Sequence, residues 1–303
     1  MYAVIDIGSN TIRLVLYKII DGQLKQTLNN KEAAGLVGYV EDGRLSQKGI
    51  EKAVNVLKNF MLILESVQTE DIFVFATASL RNIKNTSEVL AQLKQACGVD
   101  VRVLSGDEEA VFDYFGAIKE LDAEGGLMVD VGGGSTELVF FAEREVMATY
   151  SLPIGSLNMF NQFVSDIIPT KHELRAIGDY SASLLEKIQL PIDTLPTASL
   201  CGVGGTARAA CKLNDELLNT NLGYSGFECS RLRKILKLLK HDREKLVSSI
   251  IKTSPDRLHT ILPGLAILNA VSEHYGCSSF SASPYGVREG YLIYMLEGGG
   301  CNA

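Results

Sequence analysis

Two stretches of this 303-residue sequence, Val4 to Val15 (VIDIGSNTIRLV) and Met128 to Val139 (MVDVGGGSTELV), decide the fold. They align without a gap at a constant offset of 124 residues, which carries Asp6 onto Asp130 and Arg13 onto Glu137. Each reads as a buried strand ending in Asp-x-Gly, a tight turn of small polar residues, and a second apolar strand. The repetition predicts two related halves, each opened by such a hairpin. Length agrees, since about 150 residues is typical of one domain.

Working outward, Ile50, Val54, Leu57, Met61 and Leu64 fall at helical spacing, a strand is predicted from Ile72 to Ala76, and more helix follows. That alternation points to α/β architecture. Ser105-Gly106-Asp107-Glu108 fits a capping box, opening a helix that carries Val111, Phe112, Phe115 and Ile118. A polar break from Leu121 to Gly126 marks the boundary between the halves. In the second half, Ser199 to Arg208 reads as strand, glycine loop and helix, and Leu232, Ile235, Leu236 and Leu239 as the apolar side of a further helix. A last helix is expected after Pro284 to Gly290.

Composition is that of an ordinary globular protein, 46% apolar and 21% charged. The formal net charge of −7 argues against a general nucleic-acid binder, whose affinity depends on clustered Lys and Arg. A polyanionic ligand would need local help from a cation, a few placed arginines or backbone amides. The six cysteines show no C-x-x-C pair and read as reduced thiols. The N-terminus begins directly with a strand pattern, and no apolar run approaches the roughly 18 residues that span a bilayer. A cytoplasmic protein with no membrane partner is expected.

Glycine-rich turns leave amides uncovered, and successive N–H groups form a nest for phosphate oxygens. An Asp ending the preceding strand reaches a hard cation bridging the phosphates. Asp-x-Gly also terminates strands for steric reasons alone. Two copies at one offset, with a third loop at Gly202-Val203-Gly204-Gly205-Thr206, favour phosphate binding over that plainer explanation.

The two hairpins and the third loop resemble the phosphate-1, phosphate-2 and adenosine motifs of the actin, sugar kinase and Hsp70 superfamily. Four stretches resemble one branch, the exopolyphosphatase/guanosine pentaphosphate phosphatase (Ppx/GppA) family: Asp6 to Leu14, Ala76 to Arg81, Ser105 to Ala110, and Asp130 to Glu137. Tyr285-Gly286-Val287-Arg288-Glu289-Gly290 resembles its closing motif. These matches come in family order along nearly the whole chain. The resemblance implies two α/β domains of the actin-like, ribonuclease H-like fold related by duplication, with the active site in the interdomain cleft. The expected domains are 1–122 with a returning helix at 286–303, and 123–285.

The same resemblance implies that Glu109 is the general base for an attacking water and Arg81 a phosphate clamp. It implies that Asp130 and Glu137, with Asp6, hold Mg²⁺, for which Mn²⁺ is an alternative. Glu108, three residues after Ser105, is explained by capping alone. Glu109 as a surface residue and Glu137 as an outward residue on an edge strand are the plainer alternatives. Phosphate contacts are expected from Gly8, Ser9, Asn10 and Arg81, from Gly132, Gly133, Gly134, Ser135 and Thr136, and from Gly204, Gly205 and Thr206.

The expected activity is release of terminal orthophosphate from inorganic polyphosphate, with guanosine pentaphosphate (pppGpp) as the second substrate. A kinase of the same superfamily and a nucleotide-binding sensor without turnover are the rivals. With the sequence ending at residue 303, the expectation is a protein without the additional C-terminal helical domain of longer relatives. A homodimer is kept open. The basic stretch Arg231 to Lys245 reads as the solvated face of an amphipathic helix, with a track for a long polyanion as the sharper alternative. The four histidines show no ligand spacing and receive no role.

Overall fold

In the computed structural model, residues 1–118, 123–190 and 198–298 are described. The chain packs as two units, Met1–Glu109 with Tyr291–Ala303, and Ala110–Gly290.

The first unit is built on β1 (Tyr2–Ile7), β2 (Thr11–Ile20) and β3 (Gln23–Ala33), followed by the short pair β4 (Val40–Glu41) and β5 (Arg44–Leu45). Then come α1 (Gln47–Glu65), β6 (Ile72–Ala76), α2 (Ala78–Arg81), α3 (Thr86–Cys97) and β7 (Arg102–Val103). The sheet order is β3-β2-β1-β6-β7, with β1 antiparallel to β2 and parallel to β6. Because side chains alternate across a strand, Ala3, Ile5 and Ile7 share a face with Ile12, Leu14 and Leu16. All six enter one buried cluster with Ile50, Leu57 and Phe60 of α1. The helical spacing read from Ile50 to Leu64 and the strand at 72–76 are both present.

Helix α4 (Gly106–Ala117) leads into the second unit, which contains β8 (Gly126–Val131), β9 (Thr136–Ala142), β10 (Glu145–Leu152), α5 (Ser156–Phe163) and α6 (Lys171–Leu185). There follow β11 (Ser199–Val203), α7 (Gly204–Leu218), β12 (Phe227–Glu228), α8 (Ser230–His241), α9 (Arg243–Thr253), α10 (Ile261–His274), β13 (Ser279–Ala282) and α11 (Val287–Leu296). In the sheet order β10-β9-β8-β11-β13-β12 the first five strands repeat the plan of the first sheet, an antiparallel meander and then parallel strands, and β12 is added antiparallel at the edge. Helix α10 is apolar nearly all round and is accordingly buried, packing against α5, α6, α7 and α8.

The duplication extends to register. Asp6 pairs across the hairpin with Arg13, and Asp130 with Glu137. The turn is closed in both by the same bond, Gly8 N–H to Thr11 O and Gly132 N–H to Ser135 O, each 3.0 Å.

Two details differ from the sequence reading. The expected boundary at 122/123 abuts residues 119–122, which lie outside the described residues. Packing instead places the chain from Ala110 onward in the second unit, where Ala110, Tyr114 and Ala117 share a cluster with Met128, Val139 and Phe141. Helix α4 therefore buries Ala110, Tyr114 and Ala117 together with the expected Phe112, whereas Phe115 is exposed. The physical reason is close backbone approach: a side chain at Gly116 would lie 2.1 Å from the carbonyl oxygen of Gly286. The last helix also begins within the closing motif, at Val287, whose N–H donates to Asp113 Oδ1 at 2.8 Å.

Cys97, Cys201, Cys211, Cys229 and Cys277 are free thiols, and Cys301 lies outside the described residues. Among the described residues no helix is long and apolar enough to cross a membrane.

Candidate active site

In the first unit the capping box forms as read. Ser105 Oγ accepts from Glu108 N–H at 3.1 Å, and Glu108 Oε2 accepts from Ser105 N–H at 2.8 Å. The other oxygen of Glu108 pairs with Arg102. Burial would raise the Glu108 pKa, but the hydrogen bonds from Ser105 and Arg102 outweigh it and hold the carboxyl below its ordinary value. Both oxygens of Glu108 are thereby committed to structure.

Glu109 is different. It sits in the first turn of α4, only 7% exposed, and its Oε2 accepts from Arg81 Nη1 at 2.7 Å. The same Nη1 donates to Leu104 O at 3.1 Å, so the guanidinium is aimed by the backbone just before α4. Arg81 ends α2, and Ser79 of that helix donates its hydroxyl to Ile7 O at the end of β1. The end of the first strand, α2 and the first turn of α4 are thus tied together around one ion pair. The surface alternative for Glu109 is excluded by its burial. Asp6, half-buried at the end of β1, faces Arg13.

In the second unit, Glu137 is 1% exposed on β9, which is flanked on both sides by β8 and β10. It is therefore neither outward nor on an edge. Its Oε1 accepts from Ser151 Oγ at 2.9 Å, and its cross-strand neighbour on the other side is Asp130. The glycine turn is fixed through its carbonyls. Gly132 O accepts from Ser156 N–H at 2.8 Å, Gly133 O from Leu157 and Asn158 N–H, each at 3.0 Å, and Gly134 O from Asn158 Nδ2 at 3.0 Å. Among the described residues no acceptor meets the amides of Gly133 and Gly134. A turn held by its oxygens, with amides left over, is the nest geometry that suits an anion.

The third loop closes on Asp130. Gly204 has φ +76° and opens α7, and a side chain there would lie 2.2 Å from Asp130 Oδ1. At Gly205 a side chain would lie 1.9 Å from Arg257 Nη2. Burial lowers the Arg257 pKa, opposed by the nearby Asp256 and Asp130. Arg208 donates from Nη1 to the carbonyls of Ser283 and Pro284, at 3.2 and 3.3 Å, tying α7 to the closing motif.

Magnesium was expected on Asp130, Glu137 and Asp6. No group of three or more His, Cys, Asp or Glu side chains forms a cation site among the described residues. Two carboxylates on paired strand positions, with glycine kept at 204 where any side chain would fill the space at Asp130, suit Mg²⁺ nonetheless. That ion takes one or two carboxylates and completes its octahedron with water and phosphate oxygens. The oxygen-only donor set suits Mn²⁺ equally.

The structure thus gathers Asp6, Gly8, Ser9, Asn10, Arg81 and Glu109 in the first unit. Asp130, Gly132 to Glu137 and Gly204 to Thr206 gather in the second. Two of these have their hydroxyls engaged in holding loops. Thr136 and Thr206 are buried and donate to the carbonyls of Ile154 and Val131, at 2.6 and 2.7 Å. Arg257 was missed. It follows Ser254-Pro255-Asp256, far in sequence from any glycine loop, and its approach to Gly205 and its proximity to Asp130 connect it to the site.

A family comparison turns this geometry into an assignment. The Ppx/GppA phosphatase family profile matches residues 16–298. The chain belongs to the Ppx/GppA phosphatase family. Among relatives of this family member, a Haemophilus influenzae protein provisionally named exopolyphosphatase is 28% identical over 97% of this chain and 91% of its own length. The guanosine-5'-triphosphate,3'-diphosphate pyrophosphatase of Aeromonas hydrophila is 29% identical over 98% of this chain, which spans 60% of that protein. Among solved structures, the Ppx/GppA family member from Aquifex aeolicus is 28% identical, with a TM-score of 0.76 over 99% of both chains. An exopolyphosphatase from Cytophaga hutchinsonii, at 23% identity and a TM-score of 0.80 over 98% of both chains, shares the fold.

Proposed function

We propose that this Ppx/GppA family member is an exopolyphosphatase that hydrolyses the terminal phosphoanhydride bond of inorganic polyphosphate. The observation that carries the reading is the buried Glu109 held against Arg81 at 2.7 Å. A buried carboxylate with a fixed orientation is what a general base acting on one water requires. Glu109 takes a proton from that water, whose oxygen bonds to the terminal phosphorus while the bond to the bridging oxygen breaks. Orthophosphate leaves, and the shortened chain keeps the bridging oxygen. Arg81 meets the charge on the phosphoryl oxygens, so rate enhancement comes from positioning and fixed charge.

Asp130 and Glu137 are the residues that would hold Mg²⁺, with Mn²⁺ as substitute. When bound, that ion supplies charge neutralisation at the phosphate oxygens. Asp6 faces Arg13 within the first unit. The free thiols accord with a cytoplasmic setting.

Hydrolysis of pppGpp to the tetraphosphate is the second reading, favoured by the name of the Aeromonas relative. Polyphosphate stands first on the name of the Haemophilus relative, 28% identical over 97% of this chain. Phosphate release from both substrates, measured with Mg²⁺ for the wild type and Glu109→Gln, tests the proposal. Release that collapses in the variant supports it and ranks the substrates. No release from either by a folded wild type would overturn it, in favour of a superfamily kinase or a nucleotide-binding sensor.

A further inference from the structure

The second unit carries a groove of about 690 Å³ that none of the site residues lines. Its walls are α6 and α8, and α10 contributes its floor. Three features set it apart from an ordinary helix crevice.

The first is charge. In a chain of net charge −7, this groove is lined by five Lys and Arg side chains and two acids. Two of the cations are engaged, Arg175 with Asp179 at 3.6 Å and Arg233 with Glu273 at 3.8 Å. Lys171, Lys237 and Lys240 are exposed and have no carboxylate within 4 Å among the described residues. Like charges gathered in a concavity and left unneutralised raise the local concentration of anions.

The second is an apolar floor. Leu174, Leu236, Ala266 and Ala270 line the groove between the cations. A purely ionic ligand such as sulfate gains nothing from such a surface, whereas a ligand with a flat apolar body does.

The third is Gly178. It lies in the interior of α6, where glycine costs about 1 kcal/mol relative to alanine. Packing within the chain does not call for it, because a side chain there would meet no atom within 4 Å. It lines the groove, so its bare backbone widens the slot beside the apolar floor.

We infer that this groove is a second ligand site, for a nucleoside polyphosphate. The planar base lies over Leu174, Leu236 and Ala266 beside Gly178, and the phosphates reach Lys171, Lys237 and Lys240. Lysine suits this task as a rotatable point charge on a long stem. The basic face of α8, read from the sequence as solvated surface or a polyanion track, thereby gains a ligand with a ring as well as charge. The inference stands apart from the proposed activity, since no groove residue belongs to the catalytic set.

The test is calorimetric titration of ATP into the full chain carrying Glu109→Gln, without divalent cation, so that no turnover occurs. ATP is expected to bind saturably. Gly178→Leu, which fills the slot while improving helix propensity, is expected to abolish that binding with no fall in Tm. Lys237→Glu with Lys240→Glu is expected to weaken it by about tenfold or more. Inorganic tripolyphosphate, lacking the ring, is expected to bind more weakly than ATP. In the otherwise wild-type chain the same groove substitutions leave polyphosphate hydrolysis unchanged in the absence of nucleotide. Three results would each overturn the inference: no ATP binding, ATP binding that both groove variants leave intact, or tripolyphosphate binding that the groove variants remove and that is as tight as that of ATP.

Discussion

Arg81 Nη1 lies 2.7 Å from Glu109 Oε2, so the proposed phosphate clamp and the proposed general base form a single ion pair. The pair is buried on both sides, with side-chain exposures of 17% and 9%. Removing one partner from such a pair leaves the other as a poorly solvated charge. In the proposed mechanism, arriving phosphate oxygens would compete with Glu109 for the guanidinium and so couple substrate binding to release of the base.

Glu109→Gln retains shape and hydrogen-bonding capacity but cannot take a proton. It should lower kcat for polyphosphate by about 10²- to 10⁴-fold while leaving KM close to that of the wild type. A parallel rise in KM would instead indicate that Glu109 serves substrate binding.

Arg81→Lys keeps the charge and loses the planar guanidinium whose Nη1 donates to both Leu104 O and Glu109. It should raise KM and lower kcat together, because a lysine ammonium cannot offer phosphate a planar bidentate contact. Wild-type kinetics in this variant would remove Arg81 from the phosphate site.

Asp130→Asn and Glu137→Gln should each raise the Mg²⁺ concentration for half-maximal activity by about tenfold or more, with excess metal restoring part of the rate. Glu137 is buried, so thermal unfolding of the variants should be followed alongside, to separate metal loss from unfolding.

Gly204→Ala places a side chain 2.2 Å from Asp130 Oδ1 at a backbone φ of +76°. The strained conformation should cost about 1–3 kcal/mol, read as a lowered Tm, and displacement of Asp130 should weaken the Mg²⁺ response beyond the stability loss.

Glu173 gives a pH prediction remote from the site. The Thr170 N–H that donates to it, followed by the hydroxyl and amide of Ser165, outweighs burial and brings its pKa down to about 2 from an ordinary 4.5. A depressed carboxyl contributes stability above its unfolded pKa and loses it as pH falls through the folded one. The stability difference between wild type and Glu173→Ala should therefore be full above pH 4.5 and shrink toward pH 2, as measured by denaturant midpoints across that range.

Much of this was legible in the residues themselves. Apolar runs ending in Asp-x-Gly, in two copies of one segment, made the hairpins legible, because strands covered on both faces are apolar nearly throughout. Ser105 and Glu108 are neighbours in sequence, so their mutual capping could be read and Glu108 set aside from Glu109. What escaped the sequence is nonlocal. Helix α4 was oriented by its bulky residues, Phe115 among them, whereas the buried face is set by the backbone near Gly286, about 170 residues away. Arg257 reaches Gly205 across a separation of 52 residues that no motif spans. The hydroxyls of Thr136 and Thr206 looked available in a glycine loop, and only the folded chain supplies the carbonyls they satisfy.

The identical register of the two hairpins, Asp6 opposite Arg13 and Asp130 opposite Glu137, also bears on how such a molecule diverges. One frame presents an acid beside a base in one copy and two acids in the other, without moving a strand or a turn. Specialisation after duplication needed no new backbone, only a different side chain at a position both copies already held in place. Arg13→Glu, Thr11→Ser and Ile12→Thr would restore the match at three of these positions, so the degree to which the halves have parted can be probed residue by residue on a common scaffold.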